Sequence, residues 1–241
     1  MNRAVVTGGA SGIGAATVQR LRRDGMHVAA LDLDGDRIGE VDAEARVVAD
    51  VTSEDDARRG IDEAAAALGG LDVVVACAGV AGRGTVETTS LEEWERVFAV
   101  NVRGVYLTAK AAIPHLREAG GGTIVVVASQ LGLVAAANAA AYCASKGAAV
   151  MLTRAMAVDH GAEGIRVNCV CPGPTTTPLL ESYFALSADP ASEQARYAEA
   201  QVHGRLIEPD EIADAIAYLA SPGASSTIGA ALVVDGGYSI R

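Results

Sequence analysis

Aromatic side chains are scarce in this chain: one Trp, two Phe and six Tyr among 241 residues, 4% in all. A core must therefore be assembled from Val, Ala, Leu and Ile, and the 50% hydrophobic content supplies enough for a sizeable interior. Basic residues are few as well. The 19 Lys and Arg stand against 30 Asp and Glu, a net charge of −11. Such a chain repels phosphate backbones, so nucleic acid is not expected as a partner. No apolar run approaches the ~18 residues of a membrane span, so no membrane partner is expected either. The opening MNRAVVTGGASG is read as entering structure at once, without the apolar segment and cleavage site of a secretory signal. Cysteines number four: Cys77, Cys143, Cys169 and Cys171. No further ligands group with them, so no metal is expected. They read as reduced, buried thiols of a cytoplasmic protein, with Cys169 and Cys171 on one face of a strand.

What the chain does have is a regular alternation. Short β-branched runs at 3–7, 27–32, 46–50, 72–76, 123–128, 165–170 and 231–234 read as strands. They are apolar throughout rather than alternating, which points to burial on both faces in a parallel sheet. Between them lie helical stretches at 12–24, 54–68, 91–117, 140–160 and 210–220. This order predicts an α/β fold: a Rossmann-type, doubly wound, parallel seven-stranded sheet with helices on both faces, forming one domain. No repeat, low-complexity tail or linker interrupts it. The stretch 172–209 is too long for a plain loop, and segments 179–186 and 191–202 can form short helices in a substrate lid spanning about 174–208.

After the first strand comes Thr7-Gly8-Gly9-Ala10-Ser11-Gly12-Ile13-Gly14, followed by a helix. Glycines there let the backbone turn tightly and approach a pyrophosphate, which free N–H groups at a helix N-terminus stabilise. Glycine-rich turns also serve ordinary strand-to-helix connections. The position between the first strand and the first helix favours the dinucleotide reading. The second strand ends at Asp32, about 20 residues past the glycines, where a carboxylate can accept hydrogen bonds from the ribose hydroxyls of NAD and repel the 2′-phosphate of NADP. No Lys or Arg lies inside the turn or immediately after Asp32, so NAD is the expected cofactor. Asp34 and Asp36 read as solvated turn acids.

Tyr142-Cys143-Ala144-Ser145-Lys146 places Tyr and Lys four apart, on one helix face. A free tyrosine titrates near 10, and a nearby ammonium favours the phenolate, so the pair is expected to tune proton transfer toward physiological pH. By itself the spacing is common by chance. Ser129 follows the fifth strand, at the carboxyl end where doubly wound folds place ligands, and can hydrogen-bond a substrate oxygen. Asn101 interrupts an apolar helical stretch, and a buried amide there is either structural or holds water.

Together these residues resemble the short-chain dehydrogenase/reductase family. The matching motifs are the 7–14 turn, Asp32, Asp50-Val51, Ala78-Gly79, Asn101, Ser129, Tyr142 with Lys146, Pro172-Gly173 and Thr177-Pro178. Gly204-Arg205, Pro209 with Glu211-Ile212-Ala213, and Val234-Asp235-Gly236-Gly237 also fit. The similarity runs over nearly the whole chain. It implies an NAD(H)-dependent oxidoreductase interconverting a secondary alcohol and a ketone. Tyr142 would be its acid/base, Ser129 would orient the substrate oxygen, and Lys146 would hold the nicotinamide ribose while lowering the tyrosine pKa. Asn101 would support a water in a proton relay. The cofactor set it implies is Gly8, Ser11, Gly12, Ile13, Gly14, Asp32, Leu33, Asp50, Val51, Ala78, Gly79, Tyr142, Lys146, Pro172, Gly173, Thr175 and Thr177. Asp50 would meet the adenine, and Thr175 and Thr177 would hold the carboxamide end. One departure is plain: where the family has Asn-Asn-Ala-Gly, this chain has Ala76-Cys77-Ala78-Gly79, losing side-chain hydrogen bonds that brace the strand end.

The residues flanking the motifs, Ser129, Gln130, Leu131, Asn138, Tyr142, Leu179, Leu180, Tyr183 and Phe184, form an expected substrate lining that is apolar with two amides. It suits a small uncharged alcohol or ketone. Tyr183 and Phe184 either line this pocket or pack the lid. Arg83, Arg196 and Arg205 can reach a charged substrate, although the first two read as solvated. Two rival readings are a 3-oxoacyl carrier-protein reductase, disfavoured by Asp32 and the acidic charge, and a non-catalytic nucleotide-binding sensor or scaffold, disfavoured by the intact Ser/Tyr/Lys set. The resemblance also implies a homo-oligomer, a tetramer, with helices 91–117 and 140–160 at an interface.

Overall fold

The computed structural model describes residues 2–240. Strands β1 (Arg3–Thr7), β2 (His27–Asp32), β3 (Ala45–Val48), β4 (Val73–Ala76), β5 (Gly122–Val127), β6 (Ile165–Pro172) and β7 (Ala231–Val234) form one sheet in the order β3-β2-β1-β4-β5-β6-β7. All six pairings are parallel. Helices α1 (Gly12–Arg23), α2 (Gly35–Gly39), α3 (Glu54–Leu68), α4 (Leu91–Phe98), α5 (Gly104–Glu118), α6 (Ala140–His160), α7 (Pro178–Phe184), α8 (Pro190–Glu199) and α9 (Pro209–Ala220) connect and cover it.

The period-2 geometry of strands separates the apolar side chains into two cores. Val5, Leu31, Val74, Ile124 and Val126 face one side and pack with Ile61 and Ala64 of α3, Leu116 of α5 and Ala149 of α6. Ala4, Val6, Val28, Val75 and Val125 face the other side and meet Val18 and Leu21 of α1 and Ile212, Ile216 and Leu219 of α9. Each such Val, Leu or Ile contributes about 1.5–3 kcal/mol when fully buried. Both layers are built almost wholly from aliphatic side chains, as the scarcity of aromatics requires.

Boundaries depart from the sequence reading where side chains or strand partners intervene. The third strand stops at Val48 rather than 50 because the chain turns at Asp50, whose Oδ1 accepts the Thr52 N–H at 2.8 Å. The sixth continues to Pro172 because Cys171 and Pro172 pair with Val233 and Val234. The expected helix 91–117 is two helices joined by a π turn, Ala99–Arg103, centred on Asn101. In the segment expected to form a lid, both helices begin on a proline preceded by a capping side chain: Thr177 accepts from Leu180 N, and Asp189 accepts from Ser192 N. They end earlier than expected, at Phe184 and Glu199. The base of the lid is pinned by a bridge between Thr175 and Ile207. The short α2 was not expected. No helix among the described residues is long and apolar enough to cross a membrane.

Candidate active site

The carboxyl ends of β1, β2, β4, β5 and β6 open into one cleft of about 410 Å³, roofed by α7 and α8. At its nucleotide end the wall is backbone. Gly8 has φ +66, and a Cβ on it would stand 2.8 Å from the Cα of Ala78; one on Gly14 would stand 1.9 Å from the carbonyl oxygen of Gly8. Only glycines leave this cradle open. Helix α1 starts at its floor with no side-chain cap from Ser11 and no acidic residue in its first turn. By contrast, Ser53, Ser90 and Thr177 cap α3, α4 and α7. The first-turn N–H groups of α1 therefore remain available for an anion, which suits a pyrophosphate.

Asp32 closes this end. Its Oδ2 accepts the Ala10 N–H at 3.0 Å and its Oδ1 accepts the Asp34 N–H at 3.1 Å, so the carboxylate is held at the strand end. Asp50, Val51 and Leu33 line the adjoining wall. At the end of β4, the hydroxyl oxygen of Thr7 accepts from the N–H groups of Cys77 at 3.1 Å and Ala78 at 3.3 Å. The strand end that lacks asparagines is thus braced from the neighbouring strand. Burial pushes the Cys77 thiol up to about 12, which keeps it protonated.

The central wall holds Ser129, Tyr142 and Lys146. Ser129 follows β5, accepts the Leu131 N–H at 3.1 Å and is near enough to the Tyr142 phenol to favour its ionised form. Lys146, one turn along α6 from Tyr142, donates to the carbonyl of Val127 at 2.9 Å, and its Nζ lies 5.8 Å from the tyrosine ring centre. The expectation that Lys146 lowers the tyrosine pKa is not met in this arrangement. Burial pushes Tyr142 up to about 12, with Ser129 pulling the other way, and burial pulls Lys146 down to about 8. Desolvation disfavours both charged forms, and Lys146 is not among the groups that shift Tyr142. The phenol is therefore set up as a proton donor.

Asn101 is fully buried and does not line the cleft. Its Oδ1 accepts the Val80 N–H at 2.9 Å, and its Nδ2 donates to the Val80 carbonyl at 3.0 Å and to Ser145 Oγ at 3.1 Å. Ser145 in turn donates to the Tyr142 carbonyl at 2.8 Å. The π turn aims this amide inward, and the amide ties the loop after β4 to the turn of α6 that carries Tyr142. A Cβ at Gly79 would lie in ordinary contact with both groups, 3.4 Å from Asn101 Oδ1 and 3.5 Å from Lys146 Nζ.

At the substrate end, Gln130, Leu131, Leu179, Leu180 and Tyr183 line the cleft as expected, together with Pro172, Gly173, Thr175 and Thr177. Gln130 is 4% exposed, and its Oε1 has no hydrogen-bond partner. Asn138 does not belong: it sits exposed at φ +57, with its carbonyl accepting the Gly84 N–H. The two lid aromatics divide their roles, for Tyr183 lines the cleft whereas Phe184 is buried 5.2 Å from the Tyr197 ring. Arg205 pairs with Glu211 away from the cleft, and Arg83 is exposed as expected while its guanidinium stacks over Tyr183. Sequence reasoning missed Tyr197, Val80 and Gly82 as lining residues. The signal for Tyr197 was a lone aromatic in a polar lid helix.

A family model described as enoyl-(acyl carrier protein) reductase matches residues 8–239. The chain is 44% identical to cis-4-hydroxycyclohexanecarboxylate dehydrogenase of Sinomonas cyclohexanicum, covering 98% of this chain and 96% of that protein. It is 38% identical to meso-2,3-butanediol dehydrogenase of Serratia marcescens, covering 97% and 92% respectively. Among solved structures, 3-ketoacyl-(acyl-carrier-protein) reductase from Brucella melitensis, complexed with NADH, superposes with a TM-score of 0.92 at 34% identity, covering 99% of this chain and 98% of that one.

Proposed function

Since the chain belongs to the short-chain dehydrogenase/reductase family and is an oxidoreductase acting on CH–OH groups, we propose that it interconverts small uncharged secondary alcohols and ketones with NAD(H). The observation that carries this reading is the meeting of Ser129, Tyr142 and Lys146 in the same cleft as the uncapped α1 N-terminus and Asp32. The family binds NAD(P), and Asp32 favours the form without a 2′-phosphate, because a fixed carboxylate at the ribose repels a second anion. When bound, the nicotinamide would supply the redox chemistry, its oxidised form accepting a hydride from the carbinol carbon and its reduced form donating one to a ketone.

The chain's own residues supply binding, orientation and the proton. Gly8, Gly12 and Gly14 leave room for the pyrophosphate. Thr175 and Thr177 would hold the carboxamide end, and Lys146 would hold the nicotinamide ribose. Ser129 directs the substrate oxygen to the phenol of Tyr142, which gives its proton to the developing alkoxide in reduction and takes it back in oxidation. Asn101 acts by position, with its side-chain N–H groups already engaged, so a relay water would meet its remaining acceptor capacity rather than those donors. Leu179, Tyr183 and the amide of Gln130 shape the substrate space. The carrier-protein reductase alternative has less support, because an acidic chain is poorly suited to dock an acidic carrier.

Tyr142→Phe is expected to keep NADH binding and lose roughly 10²–10⁴-fold in turnover. Wild-type turnover of a secondary alcohol in that variant would sink the mechanism. The homotetramer is part of the same reading, supported by exposed Leu91, Tyr106, Met151 and Val158 on the helices expected at the interface. Sedimentation is expected to give four copies, and a monomer at micromolar concentration would contradict it.

A further inference from the structure

At the rim of the cleft a buried carboxylate stands between two guanidinium groups. Glu193 lies on α8, four residues before Tyr197 and on the same helix face. Its side chain is 7% exposed, and Oε2 has no hydrogen-bond partner. Oε1 is 3.4 Å from Arg83 and 3.4 Å from Arg196. A carboxylate this deep costs folding energy unless a cation faces it, so its position between two guanidinium groups is informative about charge. The two arginines are not equivalent. Arg196 is 71% exposed, so water and salt screen it. Arg83 is 34% exposed, and its guanidinium carbon lies 5.0 Å over the ring of Tyr183, which lines the cleft. The backbone beside it is fixed by the bridge between Gly84 and Ala139. Arg83 is therefore a positive charge held against a ring that lines the cleft. Among the described residues, Lys146 is the only Lys or Arg lining that space directly.

We propose that Glu193 sets the charge selectivity of the substrate site, balancing Arg83 so that the cleft takes uncharged alcohols and ketones and disfavours those carrying a carboxylate. The inference rests on the uncharged-substrate reading above. It names Glu193 as a specificity-determining residue that acts through Arg83 without touching substrate. With the carboxylate neutralised, Arg83 would present an unbalanced cation to the distal end of a substrate.

A matched pair of probes differing in one charge tests this: 4-hydroxycyclohexanecarboxylate and its methyl ester, each assayed with NAD. The wild type is expected to favour the ester in kcat/KM. Glu193→Gln is expected to raise the acid-to-ester ratio roughly tenfold, mainly through KM for the acid, and high salt is expected to erase the gain. Arg83→Met combined with Glu193→Gln is expected to return the ratio to its wild-type value, and Glu193→Asp to hold it there. A merely structural role would lower both substrates together and leave the ratio alone. Wild-type preference for the acid would overturn the inference even if no variant folds. An unchanged ratio in Glu193→Gln, with ester turnover intact, would overturn it while leaving the proposed activity standing. Turnover of neither probe by the wild type would bring down both.

Discussion

At one end of the cleft the binding surface is main chain, and at the other it is side chain. The nucleotide end is formed by Gly8, Gly12 and Gly14, by uncapped N–H groups and by strand ends. Apart from Asp32 and Asp50, few side chains there carry chemistry. The substrate end is formed by Gln130, Leu179, Tyr183 and Tyr197, with Arg83 and Glu193 behind them, from segments far apart in the chain. A main-chain surface recognises what every dinucleotide shares, namely phosphate and ribose, and tolerates no side chain at its closest points. A side-chain surface can be altered one residue at a time without disturbing the sheet below. The division fits the finding that relatives with different named substrates resemble this chain over nearly its whole length.

The contrast can be broken at its strongest point by Gly14→Ala. The added Cβ would meet the Gly8 carbonyl, so the turn must open. The expected outcome is at least a roughly hundredfold loss of NADH affinity and about 1–3 kcal/mol of stability. Fluorescence titration and denaturant unfolding check it, and an unchanged NADH affinity would remove the claim that this wall is made of backbone. Asp32→Ala comes next, as the nucleotide end's chief side-chain discriminator. It is expected to shift the NADP-to-NAD ratio of kcat/KM upward by roughly ten- to a hundredfold. Equal use of the two cofactors by the wild type would count against the assignment. The smallest expected effect is on pH dependence. Reduction uses the protonated phenol, which predominates below its raised pKa, so it is expected to stay level through neutral pH and decline only in the alkaline range. Oxidation uses the phenolate and is expected to climb with pH over the same span. Parallel profiles in the two directions would separate Tyr142 from the proton step.

Much of this arrangement was legible because it is local. The glycine turn between β1 and α1, Asp32 at the end of β2 and Tyr142 one turn before Lys146 each require only a few neighbouring residues and a known helix or strand period. The strands were recognisable by continuous apolar runs, with ends misplaced where a capping carboxylate or a pairing partner decided the matter, as at Asp50 and Cys171. The π turn at Asn101 was not legible. An i→i+5 turn has no period of its own in the sequence, and its amide finds Val80 and Ser145 only after α4, α5 and α6 have docked. The direction of the tyrosine shift was missed for a related reason: spacing shows that an ammonium is near, but burial depends on everything packed around the pair.

By itself, the sequence determined the parallel seven-stranded sheet and picked out the glycine turn and Ser129, Tyr142 and Lys146 as candidates, because periodicity and short motifs encode them directly. Tertiary structure alone decided that burial makes Tyr142 a stronger proton holder than its neighbour implies, that Thr7 braces the β4 end, that Phe184 packs while Tyr183 lines the cleft, and that Glu193 lies against Arg83, 110 residues away. The physical reason is the same in each case. Desolvation and long-range charge pairing are properties of the assembled interior, and no window of neighbouring residues contains them.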